Sequence, residues 1–177
     1  MAKTAIITGA SQGIGRATAL RLARDPGITG LALVARSEEK LAATRAAIGS
    51  DGPDVEIYPY DLADLEGIPD LVTVIRRRFG AIDALCNIAG YAEPHALLDT
   101  TNENIVRTYT INVMAMIVLI REVVRVMQHH PAKILNVAST AGITSRPGWL
   151  AYASSKAAVV SLSQTLSDEL AGRGIKV

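Results

Sequence analysis

One cysteine, Cys86, occurs in the 177 residues. A lone thiol cannot build an internal disulfide framework or a thiolate metal site, and it fits a reducing compartment. An excess of either charge is also missing: 18 Lys and Arg against 17 Asp and Glu leave a net charge of +1. With no basic run, there is no electrostatic case for a nucleic-acid partner or an anionic membrane surface. Long apolar runs are absent too. The longest, from Ile111 to Ile120, contains Asn112 and stops at Arg121, whereas a spanning helix needs ~20 apolar residues. The start, Met1-Ala2-Lys3, leads into an apolar stretch broken by Thr4 and Thr8, too brief for a signal-peptide core. There is no linker, repeat or low-complexity segment. What remains is an ordinary globular composition, 49% hydrophobic and 20% charged. It suits one cytoplasmic domain, residues 1–177, long enough to bury a substantial core.

The elements alternate in type. Short runs rich in aliphatic and β-branched residues fall at Thr4–Thr8, Leu31–Val34, Val55–Tyr58, Ile82–Leu85 and Ile134–Val137. Several are continuously apolar, as strands covered on both faces are. Helical patterns lie between them. Ala19, Leu22 and Ala23 share a face, and Asp25-Pro26-Gly27 stops that helix. Ser37 is placed to cap the next, ahead of Glu38 and Glu39. Leu65, Ile68, Leu71, Val72, Ile75 and Phe79 mark a third, closed by Gly80. A long helix is expected over 103–128 and a last one over 150–171. This pattern predicts an α/β fold: a Rossmann-like, doubly wound parallel sheet with helices on both faces. Such sheets bind ligands beyond the carboxyl ends of their strands, so functional residues should follow the strands.

The loop after the first strand reads Thr8-Gly9-Ala10-Ser11-Gln12-Gly13-Ile14-Gly15. Glycines allow a tight turn and close approach of a pyrophosphate, which the following helix N-terminus then attracts. A Gly-rich turn that merely packs helix on strand is the plain alternative. The place of the loop, opening the chain between strand and helix, favours dinucleotide binding. Its Gly-x3-Gly-x-Gly spacing resembles that of the classical short-chain dehydrogenase/reductase family. The resemblance recurs in order along the chain. Asp61-Leu62 follows the third strand, and Asn87-Ile88-Ala89-Gly90 the fourth. Asn112 lies in the long helix, Ser139 follows the fifth strand, and Tyr152-Ala153-Ser154-Ser155-Lys156 matches Tyr-x-x-x-Lys. Ile88 departs from the family's usual Asn-Asn-Ala-Gly.

Tyr152 and Lys156, four apart, share one helix face. Carbonyl reduction needs a proton for the oxygen, and alcohol oxidation needs its removal. A phenol ordinarily ionises near ~10, and a nearby ammonium lowers that value. Alone, the pair would read as a surface Tyr and Lys on an amphipathic helix. Ser139, ending a strand, is placed to hydrogen-bond the reacting oxygen; otherwise it is a cap serine. Asn112 is the odd polar residue of an apolar stretch and would otherwise be a satisfied core amide. The resemblance implies that Asn112 holds a helix distortion and a water linking Lys156 to solvent. It implies a catalytic set of Asn112, Ser139, Tyr152 and Lys156. It also implies cofactor contacts from Gly9, Ser11, Gln12, Gly13, Ile14, Gly15, Asp61, Leu62, Asn87, Ala89, Gly90, Tyr152 and Lys156.

In this family an acidic residue at the end of the second strand binds the 2′-hydroxyl of NAD. Here Ala35 takes that place, followed by Arg36 and Ser37. A guanidinium pairs with a 2′-phosphate that a carboxylate would repel. NADP(H) is therefore the expected cofactor, with NAD(H) possible. Gln12 stands where many NADP-dependent members carry a basic residue.

The expected function is hydride transfer between nicotinamide and a small carbonyl or alcohol substrate, 3-oxoacyl reduction included. A nucleotide-binding module without turnover is the alternative. The resemblance also implies a homodimer or homotetramer, packed through the helices of Asn112 and Tyr152. His95, His129 and His130 do not form a metal constellation, and no metal is expected. Cys86 reads as a small buried hydrophobe. Trp149 either walls the substrate pocket or simply packs. The chain ends at Gly174-Ile175-Lys176-Val177, where the resemblance implies entry into a sixth strand, so the C-terminal part of the fold is expected to be missing.

Overall fold

The computed structural model describes residues 3–127 and 131–177. The end of the long helix at Gln128 and the pair His129-His130 therefore lie outside the described residues. Six strands form one parallel sheet: β1 (Lys3–Thr8), β2 (Ile28–Ala35), β3 (Asp54–Pro59), β4 (Ala84–Asn87), β5 (Ala132–Asn136) and β6 (Ile175–Lys176). Their order is β3-β2-β1-β4-β5-β6. The order reverses between β1 and β4, which opens a crevice at their carboxyl ends.

Side-chain alternation along the strands splits the core in two. Ile6, Val34, Leu85 and Ile134 point to the side covered by α3 (Ile68–Phe79), α5 (Ala115–Val126) and α6 (Leu150–Ala171). Ala5, Ile7, Leu31, Leu33 and Cys86 point to the side covered by α1 (Gly13–Leu22) and α2 (Glu38–Ile48). Burial on both faces explains the uninterrupted apolar runs of β1 and β2. On the α1/α2 side, Leu135 of β5 lies opposite Cys86 and is 51% exposed.

The fifth strand runs Ala132–Asn136 instead of Ile134–Val137, and three other elements differ from expectation. The fourth strand sits two residues later than Ile82–Leu85, because Asp83 leads into it: its carboxylate accepts the Thr4 N–H at 2.8 Å. The third helix starts at Ile68, and Leu65 packs on the core from the preceding loop. The helix expected over 103–128 is instead α4 (Asn102–Tyr109), a π turn over Thr110–Met114 and α5. A π turn inserts one extra residue, and here it turns fully buried Asn112 inward. Two smaller expectations hold. Ser37 caps α2, its Oγ accepting the Lys40 N–H at 3.3 Å. Gly80 closes α3 at φ +76°. No helix among the described residues is long and apolar enough to cross a membrane.

Candidate active site

The glycine loop joins β1 to α1 at the switch point. A Cβ on Gly15 would lie 2.2 Å from the Gly9 carbonyl oxygen, so only glycine lets α1 start so close to the strand. Gly13 has φ +53° and nothing within 4 Å of its missing Cβ, leaving backbone open to the crevice. Thr8 fastens the floor. Its Oγ1 accepts the N–H groups of Ile88 and Ala89 at 3.0 and 3.1 Å and donates to the Cys86 carbonyl.

The resulting cleft encloses about 720 Å³. Gly9, Ser11, Gln12, Gly13, Ile14 and Gly15 line its base. Arg36 and Ser37 line one end, Asp61 and Leu62 a side, and Ala89 and Gly90 the wall after β4. Asn87 is not on that surface: it is buried, and its amide donates to Asn136 Oδ1 at 2.9 Å. Sequence reasoning missed Lys40, Tyr60 and Tyr91, which also line the cleft. Lys40 follows Arg36 by four residues, and its Nζ donates to Gln12 Oε1 at 3.3 Å. Burial pushes the Tyr60 hydroxyl up to about 12.

Beyond Gly90 lie the other residues of interest. A Cβ on Gly90 would stand 3.4 Å from Asn112 Oδ1 and 3.6 Å from Lys156 Nζ, so the loop passes beside both. The Asn112 amide is committed to structure at both ends. Its Oδ1 accepts the Tyr91 N–H at 2.7 Å, and its Nδ2 donates to the Tyr91 carbonyl and to Ser155 Oγ, both at 2.9 Å. Ser155 in turn donates to the Tyr152 carbonyl at 2.7 Å.

Lys156 is 3% exposed. Its Nζ donates to the Val137 carbonyl at 2.8 Å and lies 5.9 Å from the centre of the Tyr152 ring. Burial holds its ammonium below the ordinary lysine range. Trp149 meets the Tyr152 ring edge-on at 5.5 Å. Ser139 caps a short 3₁₀ turn, Thr140–Gly142, its Oγ accepting the Ala141 N–H at 3.2 Å. That leaves the hydroxyl proton of Ser139 free to donate. The turn packs hard on α6: a Cβ on Gly142 would approach the Lys156 carbonyl carbon to 2.7 Å. Cys86 is buried as expected, and burial pushes its thiol up.

The family model described as short chain dehydrogenase matches residues 3–177. The chain belongs to the short-chain dehydrogenase/reductase family. The 2,3-dihydro-2,3-dihydroxybenzoate dehydrogenase of Bacillus subtilis is 34% identical over 98% of this chain and 66% of its own length. Two solved structures superpose closely. A short chain dehydrogenase from Burkholderia cenocepacia in complex with NADP is 34% identical at a TM-score of 0.93, over 99% of this chain and 71% of that one. An NAD+-bound xylitol dehydrogenase is also 34% identical, at a TM-score of 0.92, over 99% and 67%. The chain thus spans about two thirds to seven tenths of the length of these relatives.

Proposed function

We propose that this chain carries the catalytic and cofactor-binding parts of an NADP(H)-dependent oxidoreductase acting on a carbonyl or alcohol. The observation that carries this reading is Lys156. A buried cation with one carbonyl oxygen and an aromatic ring as its partners is costly to fold around. It is well suited to a ligand that brings hydroxyl groups and to a phenol that must part with a proton.

The cleft fits a dinucleotide in size and in donors. Open backbone at Gly13 and the start of α1 would hold the pyrophosphate. Asp61 and Leu62 would face the adenine, Ala89 and Gly90 the ribose side, and Lys156 the second ribose. When bound, the nicotinamide supplies or takes up the hydride. The protein's own part is the proton. Tyr152 gives it to, or takes it from, the reacting oxygen, and Lys156 stabilises the phenolate. Ser139 donates its free hydroxyl to that oxygen and orients it. Asn112 fixes Tyr91 and Ser155 through its side-chain amide. The substrate class extends to small ketones, sugars, steroids and acyl thioesters. A binding module without turnover would have no use for Tyr152 beside a buried Lys156.

The cofactor preference rests on charge. No carboxylate ends β2. Ala35 stands there instead, Arg36 follows it, and Lys40 adds a second cation on the same rim of the cleft. Lys40 leans on Gln12, so α2 supplies the charge that the glycine loop lacks. Titration of NADPH and NADH in matched salt tests this. NADPH is expected to bind more tightly, and Arg36→Ala or Lys40→Ala to weaken NADPH about tenfold, or ~1.4 kcal/mol, while leaving NADH nearly unchanged. Arg36→Asp is expected to invert the preference. Equal affinities in the unmodified protein would refute NADP(H) selectivity.

A further inference from the structure

The segment between β4 and α4 has little regular structure of its own over residues 88–96, and Pro94 denies it one backbone donor. Something else must hold it, since Tyr91 forms part of the cleft wall. One exposed carboxylate lies at the centre of its contacts. Glu93 Oε2 accepts the Tyr91 hydroxyl and, at 3.3 Å, the Asn104 Nδ2 of α4. Glu93 Oε1 accepts His95 Nε2 at 3.1 Å. These donors, the Tyr91 hydroxyl foremost and then His95, hold the Glu93 carboxyl below its ordinary range.

Each donor leads to a different part of the site. Tyr91 is clamped by Asn112 at both its N–H and its carbonyl, and the Arg107 guanidinium covers its ring at 5.0 Å. Asn104 is 6% exposed and fixed in α4. His95 donates its backbone N–H to the Gly148 carbonyl at 2.8 Å. Gly148, at φ +79°, immediately precedes Trp149, whose ring touches Tyr152 and is capped by Arg146 at 5.0 Å. One carboxylate thus joins the wall after β4, helix α4 and the turn that delivers α6.

We propose that Glu93 is a positioning residue, bracing the loop after β4 against the turn at Gly148 and thereby fixing Trp149 beside Tyr152. The proposal rests on the reading of Tyr152 as the proton carrier, but the brace itself is testable without turnover. A solvent-facing carboxylate adds little to global stability, so its loss acts on the local geometry of these two loops. Small misplacements of that kind are amplified at a reacting centre.

Trp149 is the one tryptophan of the chain, so its fluorescence reports on the brace directly. Glu93→Ala is expected to raise acrylamide quenching of Trp149 and shift its emission to the red, with the thermal midpoint and NADPH affinity nearly unchanged. In turnover, KM for the carbonyl substrate is expected to rise about tenfold with a smaller fall in kcat. Glu93→Gln, which keeps one acceptor oxygen, should fall between. His95→Ala should reproduce the quenching change, and the double variant should add little to it. If Glu93→Ala does not fold, His95→Ala decides by the same measurements. Unchanged quenching in the folded variants, or simply additive effects, would overturn the brace. Absence of turnover in the unmodified protein would count against the oxidoreductase reading instead, and the quenching comparison would still decide the role of Glu93.

Discussion

An ammonium held at 3% exposure on one carbonyl oxygen, as Lys156 is, places function against stability in a single side chain. Its folded-state pKa lies below its unfolded value, so between the two the unfolded chain binds more protons. Stability from this group therefore rises as pH increases through that window towards the ordinary lysine value, and is lowest below it. Lys156→Met removes the titration. The expected outcome is that the thermal midpoint of the variant, relative to the unmodified protein, falls as pH rises through that window. Paired melts over alkaline pH check this, and a pH-independent difference would contradict it. The same residue was legible in the sequence only through its spacing from Tyr152 and the order of the surrounding motifs. Lys40 and Glu93 carried no such signal. Each matters through a contact with a residue distant in sequence or lodged in a loop, Gln12 for the first and Tyr91, His95 and Asn104 for the second.

At the scale of elements, periodicity revealed what burial imposes and missed what single polar contacts impose. Helix α6 spans the expected residues, bounded by Pro147-Gly148 before it and by Gly172 and Gly174 after it. Strand β4 was displaced because Asp83 pairs with Thr4 and because Asn87, though polar, finds Asn136 across the sheet. The π turn had one trace in the sequence, an asparagine in an apolar run, and the resemblance supplied its meaning. The outer side of α4 and α5 bears on assembly. Val106 of α4, Met114 of the π turn between them and Ile117 of α5 are 60%, 45% and 47% exposed, more apolar surface than a solvated helix face needs. We propose that this face packs against a second copy, as part of a homodimer or homotetramer. Sedimentation velocity is expected to show a dimer or larger species, and Val106→Glu with Ile117→Glu is expected to shift it to monomer. A monomer at all accessible concentrations would remove the proposal.

Across the whole molecule, the sheet order and the functional residues coincide. The reversal between β1 and β4 creates the cleft, and Thr8 and the glycine loop floor it. Beside it, the turn from Ser139 packs against the start of α6, which carries Tyr152 and Lys156. That convergence was legible as fold class from strand-helix alternation, and as chemistry from five motifs in order. It stopped short of the substrate, because the segment from Gly142 to Trp149 names no ligand. The central claim, that this cleft works as a reductase through Tyr152, is tested most directly by following NADPH consumption with a panel of ketones for the unmodified protein and Tyr152→Phe side by side. The predicted result is turnover in the former and, in the latter, NADPH affinity retained with the rate reduced by at least ~100-fold. Turnover by Tyr152→Phe near the unmodified rate would contradict it.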